Sequence, residues 1–102
     1  MKKYAVGFIG YGNMAQAIVS GLTDKLSVYL LKDAGFKLRI AVSDPDADKL
    51  AKAPKRVAVT SDNVALVDSC DAIVLAIKPQ MAAEVLRDLD FTGKIVISIM
   101  AS

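Results

Sequence analysis

Gly10, Gly12 and Ala15 stand at the spacing G-x-G-x-x-A, directly after the apolar run Ala5-Val6-Gly7-Phe8-Ile9. They head a segment whose apolar residues, Met14, Ala15, Ile18, Val19 and Leu22, recur with helical period. Strand, glycine turn, helix is the setting in which this spacing receives a dinucleotide pyrophosphate. Gly10 lets the chain turn sharply off the strand. Gly12 has no Cβ to hold a phosphate away from the backbone, and Ala15 keeps the helix close to the strand. The first-turn N–H groups and the positive end of the helix dipole then face the phosphates. The same residues would also make a tight turn with no ligand; the strand–helix alternation that follows favours a cofactor.

Other residues with chemical capacity sit where the remaining strands should end. Asp44 follows the second apolar run, where an acid can accept hydrogen bonds from the adenosine ribose and disfavour a 2′-phosphate. Asp44-Pro45 equally reads as a helix N-cap followed by proline at the first helical position, and the two roles are compatible. The Ser43 hydroxyl can bond a ribose or a phosphate. Asp62 is the expected cap of a later helix, with Asn63 either facing the adenosine end or serving the turn. Ala76, Ile77 and Lys78 end the most apolar run, beside the switch point where open α/β sheets bind ligands. Pro79 is ordinary at a first helical turn. Lys78 is less so, because its charge opposes the helix dipole. A phosphate or a substrate carboxylate would remove that conflict, and so would simple extension into water. Cys70 reads as a small buried filler rather than a nucleophile, since the chain has no histidine to activate it. Met14, Met81 and Met100 suit packing.

The elements that must position these groups alternate. Strands are expected at Tyr4–Ile9, Leu38–Val42, Arg56–Val59, Ala72–Ile77 and Lys94–Ile99. Helices are expected at Asn13–Leu22, Pro45–Ala53, Asp62–Ser69 and Pro79–Leu89, the last with Met81, Val85 and Leu89 on one face. Such alternation implies an α/β domain with a doubly wound parallel sheet. Within Thr23–Lys37, Val28-Tyr29-Leu30-Leu31 either extends the first helix or forms a separate helical turn, with Gly35 as terminator.

Composition narrows the function. A chain of 102 residues suits a single domain. A net charge of +2 gives no reason to expect nucleic acid or membrane binding, and no apolar run is long enough to span a bilayer. One cysteine and no signal-peptide pattern fit a cytoplasmic protein. Without histidine or a cysteine cluster no metal site is expected. The hydrophobic share of 54% is high for a small domain, which suggests apolar surface covered by another domain or subunit.

Three segments, Gly7-Phe8-Ile9-Gly10-Tyr11-Gly12-Asn13-Met14-Ala15, Val74-Leu75-Ala76-Ile77-Lys78-Pro79-Gln80 and Val96-Ile97-Ser98-Ile99, together resemble the amino-terminal domain of pyrroline-5-carboxylate reductase. The resemblance runs in order over nearly the whole chain and implies a Rossmann-like domain that binds NAD(P)H. The family reduces the C=N bond of pyrroline-5-carboxylate to give proline. Gly10, Gly12, Asn13 and Met14 would then hold the pyrophosphate. Ser43 and Asp44 would meet the adenosine ribose with Asn63 nearby, and Ala76, Ile77, Lys78 and Pro79 would line the ribose and nicotinamide side. Asp44 favours NADH weakly over NADPH. The sequence departs from the family's Ser-x-Ala-Ala-Gly string, reading Ser98-Ile99-Met100-Ala101-Ser102, and carries an insertion before the second strand. The family's carboxy-terminal helical domain, which dimerises and binds substrate, lies outside this sequence. A homo-oligomer formed through that domain is implied, and no catalytic acid is assigned here. Coenzyme F420-dependent NADP reductases share the strand-to-helix turn and are the alternative enzymatic reading. A non-catalytic nucleotide-binding module is the alternative outside enzymes.

Overall fold

The computed structural model describes residues 1–100. Five parallel strands form one sheet in the order β3-β2-β1-β4-β5: β1 (Lys2–Ile9), β2 (Phe36–Ser43), β3 (Ala58–Thr60), β4 (Ala72–Leu75) and β5 (Ile95–Ser98). The register is Gly7 opposite Ala41 on one side and opposite Ile73 on the other, so β1 is the central strand. Its alternation divides the core. Phe8 faces one layer with Ile40, Val42, Ala15 and Val19, while Ala5 and Ile9 face the other with Leu66, Val67, Cys70 and Ile73. Helix α1 (Asn13–Thr23) covers the first face; α4 (Asn63–Ser69) and α5 (Pro79–Leu86) cover the second. Helices on both faces of a parallel sheet make this the Rossmann-like, doubly wound fold that the alternation predicts.

The undecided stretch Thr23–Lys37 holds a separate helix, α2 (Lys25–Asp33). Asp24 breaks α1 and caps α2, its Oδ1 accepting from the Ser27 N–H at 2.7 Å. Gly35, at φ +87°, follows the end of α2 as expected of a terminator.

Some boundaries differ from the sequence reading. The helix expected over Pro45–Ala53 is a single turn, α3 (Ala47–Leu50), and its N-cap is Asp46 rather than Asp44. The Asp44 carboxylate accepts from the Tyr11 and Asp46 N–H groups instead of from the first turn of α3. β4 stops at Leu75 instead of Ile77. The Ala76 N–H still reaches the Ile9 carbonyl at 2.9 Å, but β1 then turns away at Gly10, and Ile77 has no ladder partner on that side. On α5 the packed residues are Val85 and Leu86, with Leu89 beyond its end; Met81 is exposed, as is Met14 on α1. Cys70 is a free, buried thiol on the α4 face, as its reading as a filler required.

Candidate functional site

The site is built where β1 turns into α1. Gly10 has φ +97°, a conformation that side chains with a Cβ resist. A Cβ there would also lie 2.7 Å from the Ala76 carbonyl oxygen. Gly10 is therefore demanded twice by the fold, by its own backbone and by the close approach of the β4–α5 connection. Gly12 is different. Its φ of −77° and ψ of −169° suit any residue, and among the described residues a Cβ there meets nothing within 4 Å. Among the described residues nothing requires glycine at position 12. Gly12 is the N-cap of α1 and has no side chain to accept from the first turn. The first capping-turn bond runs from the Gln16 N–H to the Gly12 carbonyl, leaving the amides of Asn13 and Met14 at the open helix end.

Those amides open onto a cleft of about 210 Å³ lined by Gly12, Asn13, Met14, Ala15, Ala76, Ile77, Lys78 and Ile99. It lies between the carboxyl ends of β1 and β4, where the order of connections reverses, as ligands in open α/β sheets require. Of the eleven residues that the family resemblance assigns to the cofactor, Gly12, Asn13, Met14, Ala76, Ile77 and Lys78 meet here. Gly10 forms the turn beneath. Pro79 is the first residue of α5 and does not line the cleft. Lys78 is the exposed N-cap of α5, and its side chain makes no capping bond. It lines the cleft at a helix start whose dipole disfavours a positive charge.

Ser43, Asp44 and Asn63 form a second group, at the ends of β2 and β3. Ser43 is buried, and its hydroxyl donates to Asn63 Oδ1. Asp44 is also buried, and both its oxygens accept backbone N–H groups: Oδ2 from Tyr11 at 2.8 Å and Oδ1 from Asp46 at 2.9 Å. Asp62 caps α4 as expected, accepting from Val64 and Ala65, and Asn63 is the first residue of that helix.

Sequence reasoning missed three residues of this region. Tyr11, between the two glycines, is buried in the α1-side core and pins the turn down; burial pushes its phenol pKa up. Ile99 extends the β5 ladder through its N–H to the Leu75 carbonyl and closes the cleft wall. Gly7 lies under α4, where a Cβ would come within 2.6 Å of Leu66 Cδ2. An aromatic between two glycines is a recognisable signal. The other two depend on contacts between distant elements.

A larger gap, about 700 Å³, lies between α2 and β2 and is lined by apolar side chains such as Leu22, Val28, Leu31 and Leu38. It includes Met1 and Phe36 at the amino ends of the strands and none of the residues singled out above, so its size does not make it the ligand site.

Comparison with known proteins agrees with this geometry. Residues 5–102 match the family described as NADP oxidoreductase, coenzyme F420-dependent. The chain belongs to that family. Among relatives of this oxidoreductase domain, pyrroline-5-carboxylate reductase of Haemophilus influenzae is 41% identical over 105 residues, covering 99% of this chain and 36% of the relative. The crystal structure of the Streptococcus pyogenes 1-pyrroline-5-carboxylate reductase superposes with a TM-score of 0.70 at 27% identity, covering 97% of this chain and 34% of that one. A Plasmodium falciparum pyrroline carboxylate reductase with NADP bound gives a TM-score of 0.68 at 28% identity, covering 95% and 33%. The resemblance to the amino-terminal dinucleotide-binding domain of these reductases is borne out over nearly the whole chain. The chain spans about a third of the length of the relatives it matches. No helix among the described residues is long and apolar enough to cross a membrane.

Proposed function

We propose that this chain is the NAD(P)H-binding domain of a pyrroline-5-carboxylate reductase. One observation carries the reading: α1 begins at a glycine that gives its first turn no side-chain cap, and among the described residues nothing would meet a Cβ there. The bound cofactor would supply a hydride to the imine carbon of pyrroline-5-carboxylate. The chain's own residues bind and orient. Asn13 and Met14 offer N–H donors to the pyrophosphate, aided by the helix dipole. Lys78 offers a positive charge to a phosphate or to the substrate carboxylate. Ala76, Ile77 and Ile99 form an apolar wall that excludes water from the nicotinamide side. Ser43, Asp44 and Asn63 receive the adenosine end, and the Asp44 carboxylate favours NADH over NADPH by repelling a 2′-phosphate. The substrate site and the contacts that make a homo-oligomer belong to a further domain. No acid–base residue is needed from this one, because an iminium accepts hydride with little assistance.

The relatives, from Haemophilus influenzae to Xenopus laevis, carry the name pyrroline-5-carboxylate reductase, which favours that substrate over coenzyme F420. The test joins this domain to a substrate domain such as its relatives possess, and follows oxidation of NADH and NADPH with pyrroline-5-carboxylate. Turnover by the joined polypeptide, with nucleotide binding but no turnover by the 102-residue chain, is the expected result. Absence of nucleotide binding by the chain would end the proposal.

A further inference from the structure

We infer that Asp44 is a positioning residue for the phosphate turn, and that its effect on nucleotide binding reaches the pyrophosphate as well as the ribose. The inference rests on the cofactor reading above and deepens it. Gly10-Tyr11-Gly12 is the segment that sets where α1 begins. Its shape is held by the Gln16 side-chain amide of α1, which donates to the Tyr11 carbonyl at 2.9 Å, and by three ties towards the sheet. The Gly10 N–H donates to the Ser43 carbonyl at 2.9 Å. The Tyr11 ring is fixed in the core. The Tyr11 N–H donates to Asp44 Oδ2 at 2.8 Å, across thirty-three positions of sequence, and this bond is buried. The brace is itself braced. The Asp44 N–H reaches the Thr60 carbonyl, and Oδ1 accepts from the Asp46 N–H at 2.9 Å, which fixes the carboxylate orientation.

A buried N–H left without an acceptor is costly, and the adjoining peptide would rotate to find one. Gly10, at φ +97°, is the hinge that rotation would use. Rotation there moves Gly12 and turns the amides of Asn13 and Met14 away from their common target. Among the described residues no other side chain accepts from the turn, and Gly12 itself provides no cap. Asp44 thus acts on the phosphate site through the Tyr11 peptide, with no need to touch a phosphate. A residue that only bonded the ribose would have no influence on a ligand without one.

Inorganic pyrophosphate is such a ligand. Its affinity, measured by displacement of NADH and by direct calorimetry, is compared in the wild type, Asp44→Ser and Asp44→Asn. Serine is too short to reach Tyr11; asparagine keeps one acceptor oxygen for it. In Asp44→Ser, pyrophosphate and NADH affinity are both expected to fall at least tenfold. In Asp44→Asn, pyrophosphate affinity is expected to stay within about threefold of the wild type. Hydrogen exchange of the Tyr11 amide, read by NMR, is expected to be slow in the wild type and Asp44→Asn and at least tenfold faster in Asp44→Ser. Thermal melting confirms that each variant is folded, and should Asp44→Ser unfold, Asp44→Ala supplies the same loss of acceptor. Full retention of pyrophosphate binding in a folded Asp44→Ser whose NADH affinity has dropped would reduce Asp44 to a ribose contact and overturn the inference. Unchanged Tyr11 protection would overturn it as well. If the wild type bound neither ligand, the cofactor reading would fall, and the Tyr11 exchange rate would still decide the brace.

Discussion

Replacing Gly12 by valine separates a glycine kept for a ligand from one kept for the fold. The backbone at Gly12, φ −77° and ψ −169°, admits a β-branched residue, and among the described residues the new Cβ meets nothing within 4 Å. Gly12 makes no side-chain cap, so the folded state loses at most about 1 kcal/mol of N-cap preference. In a domain of this size that lowers Tm by roughly 4–8 °C at most. The binding cost is larger. The valine methyls occupy the space over the Asn13 and Met14 amides, and each hydrogen bond lost to a charged phosphate costs about 1.5–3 kcal/mol. Losing both gives about 3–6 kcal/mol, or roughly a hundredfold to ten-thousandfold in NADH affinity. Gly10→Ala is the control. At φ +97° it meets left-handed strain of about 1–2 kcal/mol. Its Cβ would also lie 2.7 Å from the Ala76 carbonyl oxygen, an overpacking that costs about 1–3 kcal/mol more. Calorimetry with NADH and thermal melting of both variants make the test. Gly12→Val is expected to melt near the wild type and lose binding; Gly10→Ala is expected to melt about 10 °C lower or more. A Gly12→Val variant that binds NADH within threefold of the wild type would refute the reasoning.

Gly7→Ala should destabilise the domain by about 1–3 kcal/mol, seen as a lower urea midpoint, because the added methyl drives into Leu66 and Cys70 at 2.6 and 2.9 Å. An unchanged midpoint would mean that α4 moves away freely. Asp44→Ser should shift the NADH/NADPH affinity ratio about tenfold or more towards NADPH, even as absolute affinity falls; a fixed ratio would remove the selectivity role. The chain alone should self-associate, because Ile95, Val96 and Ile97 on the edge strand β5 and Met81 on α5 are all exposed. Sedimentation that stays monomeric at high concentration would count against this. Hydrogen bonds from the Thr92 hydroxyl and backbone N–H hold the Asp90 carboxyl below its ordinary pKa. Its contribution to stability is therefore present above the unfolded value and is lost as pH falls through the folded one. An NMR titration should find this low midpoint and see it rise in Thr92→Val.

The elements most legible in the sequence were those whose local pattern and tertiary role coincide. The strand before Gly10, the helix after it, the cap at Asp62 and the proline at the head of α5 all lie where pattern and capping chemistry put them. The split of Thr23–Lys37 at Asp24 was harder to read, because a capping aspartate inside a helical pattern resembles any exposed polar residue. The site divided in the same way. Six residues singled out by motif and strand-end position share one cleft, while Ser43, Asp44 and Asn63 form a separate group tied into the backbone.

Periodicity and glycine spacing are properties of short segments, and they were sufficient for the sheet, its parallel winding and the location of the glycine turn between β1 and α1. The partner of a buried carboxylate is not such a property. In one dimension Asp44 read both as a ribose contact and as the cap of the next helix. In the folded chain β1 and β2 lie side by side and end together, Ile9 opposite Ser43, which brings the Tyr11 N–H within reach of Asp44. A buried donor and a buried acceptor placed that close pair, and the N-cap of the following helix is Asp46. Residue type and spacing determined that a nucleotide fold was present; only the adjacency of strands thirty-three positions apart decided what its acid holds.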